Sequence, residues 1–440
     1  MKLKVGLPTY DEFVAEGRIT YPGGRAESLR IRSRSGRSIS SSWAVFKPSP
    51  LGKPFGRFHV ERWEMVGLYP DITEAITVAG RVGGTYRIWV EGWGGPMEVV
   101  ADGKRMVVES PFTFSGRIRT ETWVGRGFHW ERKEVALYEG TFHAHAWGDG
   151  VKVVLETDVE RYVAAVAASE MHPNAPAEAL KAQAVAARTN LVRTAGKHHP
   201  NEPYDICAED HCQVFRGFHI LDENIVRTVG ETAGWVLTYG GEPIEARYSK
   251  SCGGITETFS VVWGEVDRPY SPSFRDWSVD EGYDASTEEG FRQFYAVEDS
   301  FCNVSFPPIE NLYRWEVSYT HDEMARMLEP LGVGKVLALV AEGRGRSGRI
   351  HTLRVVGDRC ERTVKGEYAI RELLGKPFLP SSAFIVDNDG ERFILRGMGW
   401  GHGVGMCQMG AIGMALGGHD YRSILRHYYR GASMERMWHR

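Results

Sequence analysis

The sequence predicts an α+β protein, with a β-rich N-terminal domain followed by a mixed α/β domain that carries a loop-rich insertion. Three observations lead there. Up to about Ala136 the chain reads mostly as strands and turns. From Thr157 the apolar period changes to that of a helix, and two helices follow in close succession. Beyond Gly196 short strands, turns and a few helices alternate, interrupted by a Pro-, Asp- and Ser-rich stretch from Arg268 to Glu298. These set expected domains at 1–136 and 137–435, with an insertion at about 259–349.

In the first domain, Thr85–Val90 and Met97–Val100 are β-prone, and Gly92, Gly94-Gly95 and Asp102-Gly103 supply turns. Arg25–Ser42 is rich in Ser and Arg and reads as a long loop. Tyr138–Glu156 holds two strands around Gly148-Asp149-Gly150, a hairpin. Thr157 and Glu160 match a capping box, and Val159, Tyr162, Val163, Val166 and Ala167 form the stripe of an amphipathic helix. Pro173 disfavours helical geometry at His172, so this helix ends near Glu170 or Met171. Asn174 can cap the next helix, with Pro176 in its first turn and Gly196 as its stop. On that helix Lys181 and Arg188 share a face.

Further on, Gly234–Tyr239 and Glu242–Tyr248 read as a hairpin around Gly240-Gly241. A strand, a helix and a strand are expected over Trp315–Tyr319, Glu323–Leu331 and Lys335–Ala341. Glu367–Leu374 reads as a helix and Arg392–Leu395 as a strand entering a glycine-rich run. Helices over Gln408–Leu416 and Tyr421–Tyr429 close the chain.

Composition excludes several classes. The chain has 440 residues, 42% hydrophobic and 25% charged, which suits a folded protein of two or three domains. A net charge of -4 argues against an electrostatic nucleic-acid binder, so no nucleic-acid partner is expected. No apolar run approaches a membrane span. Met1–Pro8 lacks the apolar region of a secretory signal. Six cysteines in a chain of this size are too sparse for a disulfide scaffold.

Three groups of residues carry chemistry. Glu170 closes an apolar helix before a proline-forced turn, where burial and the negative end of the helix dipole favour a proton-donating carboxylic acid. The bland alternative pairs it with Arg188 or Lys181. Cys207, His211 and Cys212 lie within six residues, and His198 or His199 could complete a tetrahedral zinc set; a local disulfide or two free thiols are the alternatives. Ser251-Cys252-Gly253-Gly254 and Gly397–Gly410 let backbone approach a ligand, with His402 set among glycines. The glycines match neither the P-loop nor the dinucleotide pattern, and no nucleophile elbow or HExxH motif is present.

Several ordered motifs resemble one family. Glu160-Arg-Tyr-Val-Ala-Ala-Val-Ala-Ala-Ser-Glu170-Met, Glu178–Thr189, Asp205–Gly217, Gly399–Ala411 and His427-Tyr-Tyr-Arg-Gly431 together resemble the stage II sporulation protein D family, which includes amidase-enhancer proteins. The resemblance covers about Tyr138 to Gly431. It implies a peptidoglycan lytic transglycosylase that cuts between N-acetylmuramic acid and N-acetylglucosamine of denuded glycan and leaves 1,6-anhydro ends. It sets the catalytic glutamate at Glu170 and implies action in the cell envelope.

No cofactor is required for such chemistry, and a structural zinc would fall on Cys207, His211 and Cys212, with His199 added from the residue pattern. Lys181 and Arg188 would orient or pair with groups around the acid, and Ser251, Gly253, Gly254, His402 and Gln408 would line a saccharide groove. Expected partners are glycan strands and, in the enhancer role, a cell-wall amidase. Cys252 and Cys407 depart from the serine usual in the family. A single carboxylate suffices because the sugar's own C6 hydroxyl attacks.

Overall fold

A computed structural model describes residues 1–36, 40–55, 58–81, 85–124, 131–199, 201–209, 212–279, 282–307, 309, 313–376 and 378–438. It is α+β and divides into two compact units. One comprises Met1–Pro173, Ala187–Val236 and Glu435–Arg440, the other Asn174–Ala186 and Leu237–Met434.

The first unit begins with strands β1 (Lys2–Tyr10), β2 (Glu12–Tyr21), β3 (Gly24–Ser33), β4 (Ser40–Phe55) and β5 (Phe58–Tyr69), then helix α1 (Ile72–Arg81). It continues through β6 (Thr85–Glu91), β7 (Pro96–Ala101), β8 (Lys104–Glu109), β9 (Phe112–Val124), β10 (Arg132–Trp147) and β11 (Gly150–Asp158). Helices α2 (Val159–Met171) and α3 (Ala177–Thr194), the short strand β12 (Ile206–Cys207) and helix α4 (Glu223–Gly230) follow. Nine strands form one sheet in the order β12-β1-β11-β10-β9-β2-β3-β7-β8, and β4, β5 and β6 form a separate one.

Two expectations change here. Arg25–Ser33 is strand, not loop: Leu29 and Ile31 point inward and alternate with Arg30 and Arg32, so each arginine faces out by the two-residue period. The boundary expected after residue 136 falls inside β10, which pairs with β9 and β11 along 132–147. The hairpin at Gly148-Asp149 stands as read, with Trp147 opposite Gly150.

Helix α3 starts in the second unit and ends in the first. The second unit continues with β13 (Trp235–Tyr239), β14 (Glu242–Pro243), β15 (Tyr248–Ser249), α5 (Phe259–Trp263), α6 (Glu288–Tyr295), β16 (Arg314–Thr320) and α7 (His321–Met327). Next come β17 (Val336–Arg344), β18 (Ile350–Gly357), β19 (Glu361–Lys365), α8 (Glu367–Leu374), β20 (Phe384–Asn388), β21 (Arg392–Met398), β22 (Met406–Cys407), α9 (Gln408–Leu416) and α10 (Tyr421–Tyr428). The hairpin at Gly240-Gly241 is shorter than expected: β14 ends at Pro243, and Tyr248-Ser249 pairs instead in parallel with Met406-Cys407. Two three-stranded sheets, β16-β21-β20 and β17-β18-β19, share a core with α7 and α8 around Trp315, Leu353, Ile370, Phe384 and Leu395. Among the described residues no helix is long and apolar enough to cross a membrane.

Candidate active site

Helix α2 is buried almost all round, and its run of alanines permits close packing on every face. Its N-terminus is capped by Asp158, whose carboxylate accepts from the N–H groups of Glu160 and Arg161 at 2.9 and 3.2 Å. The expected Thr157 capping box is therefore displaced by one residue, because Thr157 lies within β11. Glu160 does other work. Its two oxygens accept from Arg188 Nε at 3.1 Å and Nη2 at 2.6 Å, and one of them also accepts from the Gly234 N–H at 2.9 Å. Arg188 is fully buried and donates its remaining Nη1 to the Trp235 carbonyl at 3.0 Å. Its guanidinium thus ties α3 to α2 through the Glu160 carboxylate.

Glu170 occupies the last turn of α2 and is half-buried. Directly after it, Met171 is buried and His172 adopts φ 95°, a conformation rare for a residue with a side chain, while still donating its N–H to Ala168 O at 3.2 Å. Pro173 excludes a helical alternative there. The chain thus reverses immediately beyond the carboxylate. Glu170 lies within electrostatic reach of buried Tyr162: burial first, then the charges of Cys212, Cys207 and Glu170, hold that phenol well above its ordinary value.

A cluster of sulfur and imidazole lies near the same tyrosine. His199, Cys207 and Cys212 offer ligand atoms that all lie within 4.8 Å of one another. His199 Nε2 is 3.3 Å from Cys212 Sγ, its Nδ1 is 2.9 Å from Glu202 Oε1, and His198 Nδ1 lies 3.7 Å from Cys212 Sγ. Burial disfavours the His199 cation, but Cys207 and Glu202 outweigh it and raise its pKa to about 9. Burial and the neighbouring Cys207 push the Cys212 thiol up. Cys207 and Cys212 are not joined in a disulfide. His211 lies outside the described residues.

The remaining expected residues belong to the second unit. Lys181 Nζ pairs with Glu178 Oε1 at 2.8 Å, and Glu178 Oε2 also accepts from the Tyr421 N–H. Ser251, Gly253, Gly254 and Gln408 are buried, and Gln408 Nε2 reaches Gln183 Oε1 at 3.4 Å. The glycines are required by protein neighbours: a Cβ on Gly253 would sit 2.8 Å from Gly399 N, and one on Gly403 would sit 2.4 Å from the Arg349 Cζ. His402 is half-buried, not exposed. Its Nδ1 accepts from the Val404 N–H at 3.0 Å, and its ring packs 5.0 Å from that of Trp263. Burial, followed by Arg247, Arg349 and Arg371, lowers its pKa to about 3, so it is neutral at physiological pH.

Two depressions on the first unit, of about 690 and 760 Å³, are lined around Tyr10, Trp123 and Lys133 and around Arg117, Arg161 and Phe218. Glu170 lines neither of these two.

A family model described as stage II sporulation protein matches residues 148–239, which contain Glu170, Lys181, Arg188, His199, Cys207 and Cys212. Over these residues the chain is similar to the stage II sporulation protein D and amidase-enhancer family. A domain of unknown function matches residues 257–405, and Ser251, Gly253 and Gly254 lie between the two matches. Stage II sporulation protein D of Bacillus subtilis is 29% identical over 290 residues, covering 63% of this chain and 74% of that protein. An uncharacterized protein of Brachyspira hyodysenteriae is 29% identical over 299 residues, covering 68% and 72%. The amidase enhancer of B. subtilis is 27% identical over 294 residues, but the match spans only 39% of its length.

Sequence reasoning missed the Glu160–Arg188 pair. Both residues lay inside the quoted motifs, but the partners of Glu160 are 28 and 74 residues distant, beyond any local period.

Proposed function

We propose that the chain is a peptidoglycan lytic transglycosylase with Glu170 as its single acid and base. The observation that carries the reading is the half-buried carboxylate at the end of a buried helix, followed at once by the strained reversal at His172. Glu170 protonates the oxygen between N-acetylmuramic acid C1 and the following sugar. As that C–O bond breaks, the muramyl C6 hydroxyl attacks C1 and gives its proton to the Glu170 carboxylate. No water is consumed, and the enzyme returns to its starting protonation. The product carries a 1,6-anhydro end.

A structural zinc on His199, Cys207 and Cys212 fits this reading, since two thiols and an imidazole converge and Glu202 fixes the second imidazole nitrogen. When bound, the metal would cross-link β12 to the loops on either side of it and take no part in the chemistry. Action at the cell wall places the protein's work outside the cytoplasm.

Denuded glycan strands incubated with the purified chain should yield anhydro-ended fragments by mass spectrometry. Glu170→Gln should lower the rate about 10²- to 10⁴-fold, the usual worth of general acid–base catalysis. Reducing ends in place of anhydro ends would identify a muramidase. The second reading is a non-catalytic enhancer of a cell-wall amidase. The burial of Ser251, Gly253, Gly254 and Gln408 favours it, because these residues pack against protein neighbours. Stimulation of an amidase that persists in Glu170→Gln, with no glycan cleavage by either protein, would establish that alternative.

A further inference from the structure

The second unit contains another convergence of metal-binding side chains, drawn from four distant segments. Cys252 follows β15, Asp276 and Cys302 lie in loops before and after α6, and Cys407 caps α9. All four are essentially inaccessible, and their ligand atoms lie within 4.8 Å of one another. We propose that Cys252, Asp276, Cys302 and Cys407 form a zinc site of three thiolates and one carboxylate.

The spacing suits a shared ion. Tetrahedral zinc with Zn–S bonds of about 2.3 Å holds its sulfurs about 3.8 Å apart. Cys252 Sγ and Cys302 Sγ are 3.7 Å apart, and Cys252 Sγ is 3.3 Å from Asp276 Oδ2. A disulfide would use two of the three sulfurs and leave the third buried beside a carboxylate, whereas one soft cation uses all four groups.

Backbone and hydroxyl groups already face the sulfurs. Cys407 Sγ accepts from the N–H groups of Cys252 at 3.2 Å and Gly410 at 3.3 Å, the latter at the N-terminus of α9. Cys252 Sγ accepts from the Gly254 N–H at 3.4 Å, and Ser300 Oγ lies 3.2 Å from Cys302 Sγ.

The carboxylate is oriented as a ligand requires. Asp276 Oδ1 accepts from Tyr428 OH at 2.8 Å and lies 3.0 Å from His427 Nε2, which leaves Oδ2 turned toward the sulfurs. Gly410 keeps this arrangement open, for a Cβ there would meet Asp276 Oδ2 at 2.5 Å. Zinc binding displaces the thiol protons to solvent and staples four segments, so the ion is structural and loads as the unit folds.

The test uses the full chain, purified under reducing conditions without chelator. Zinc content by elemental mass spectrometry should fall by about one equivalent per chain in Cys302→Ser and again fall by no more in Cys302→Ser/Cys407→Ser. Cys207→Ser/Cys212→Ser keeps the site intact, and cobalt titration of that variant should saturate at about one ion per chain with thiolate-to-cobalt charge-transfer absorption. Unchanged zinc in Cys302→Ser overturns the proposal. So does a Cys252–Cys302 disulfide found in the freshly purified wild-type chain. Neither result bears on Glu170, whose reading rests on glycan products.

Discussion

A fully buried arginine in each unit holds its charge in an opposite way. In the first, the fully buried Arg188 meets a carboxylate, Glu160, through two hydrogen bonds, so the cation is neutralised by a specific partner on a neighbouring helix. In the second, the equally buried Arg349 donates to the carbonyls of Gly401, Cys252 and Ser251 and to Ser347 Oγ, which itself donates to Glu257 Oε2 at 2.6 Å. One unit fixes a pair of helices with an ion pair; the other uses a cation to gather backbone from a glycine-rich loop. Thiols follow the same division. His199, Cys207 and Cys212 lie close in sequence, while Cys252, Asp276, Cys302 and Cys407 come from across the unit. A partnered charge makes a site sensitive to loss of one side chain. A charge held by backbone makes it sensitive to the shape of the loop.

That contrast can be broken by substitution. Arg188→Ala leaves Glu160 buried without its cation and should destabilise the first unit by about 3–5 kcal/mol in urea denaturation. A loss under about 1 kcal/mol would mean that the pair is dispensable. Gly403→Ala forces a Cβ onto the Arg349 guanidinium at φ 76° and should cost about 1–3 kcal/mol, which a melt of the second unit reads directly.

Acid should act through His402. Its pKa in the folded chain, about 3, is below the unfolded value of about 6.5, so protons favour the unfolded state. The stability it contributes is complete above pH ~6.5 and is lost as pH falls toward 3, by at most about 1.4 kcal/mol per pH unit. His402→Gln should flatten that slope; an unaltered slope would assign the acid sensitivity to other groups. Smallest is the cap: Asp158→Ala should cost about 1 kcal/mol by removing the acceptor for two orphan N–H groups of α2, checked by thermal melting of the variant.

Much of the fold was legible because local chemistry decides it. The helix over Gln408–Leu416 and the one over Glu367–Leu374 match the structure residue for residue, and Gly148-Asp149 marked its hairpin. Where reading failed, a neighbour outweighed the local signal. The Ser/Arg-rich stretch at Arg25–Ser33 joined a sheet whose other strands supply its hydrogen bonds. The glycines of Gly397–Gly405 looked like a ligand cradle but admit Arg349 and the Ser249–Gly254 backbone. His402 looked exposed because glycines surround it in sequence, yet Trp263 covers it in space.

The sequence by itself determined that an apolar helix ends at a carboxylate before a proline, that two cysteines and a histidine stand within six residues, and which family the ordered motifs resemble. These are properties of neighbours along the chain, where period, proline and spacing act directly. Only the tertiary structure decided that Arg188 belongs to Glu160, that His402 stays neutral, and that Cys252, Asp276, Cys302 and Cys407 converge. Those outcomes depend on burial and on contacts between segments as many as 155 residues apart, and no local pattern encodes such a distance.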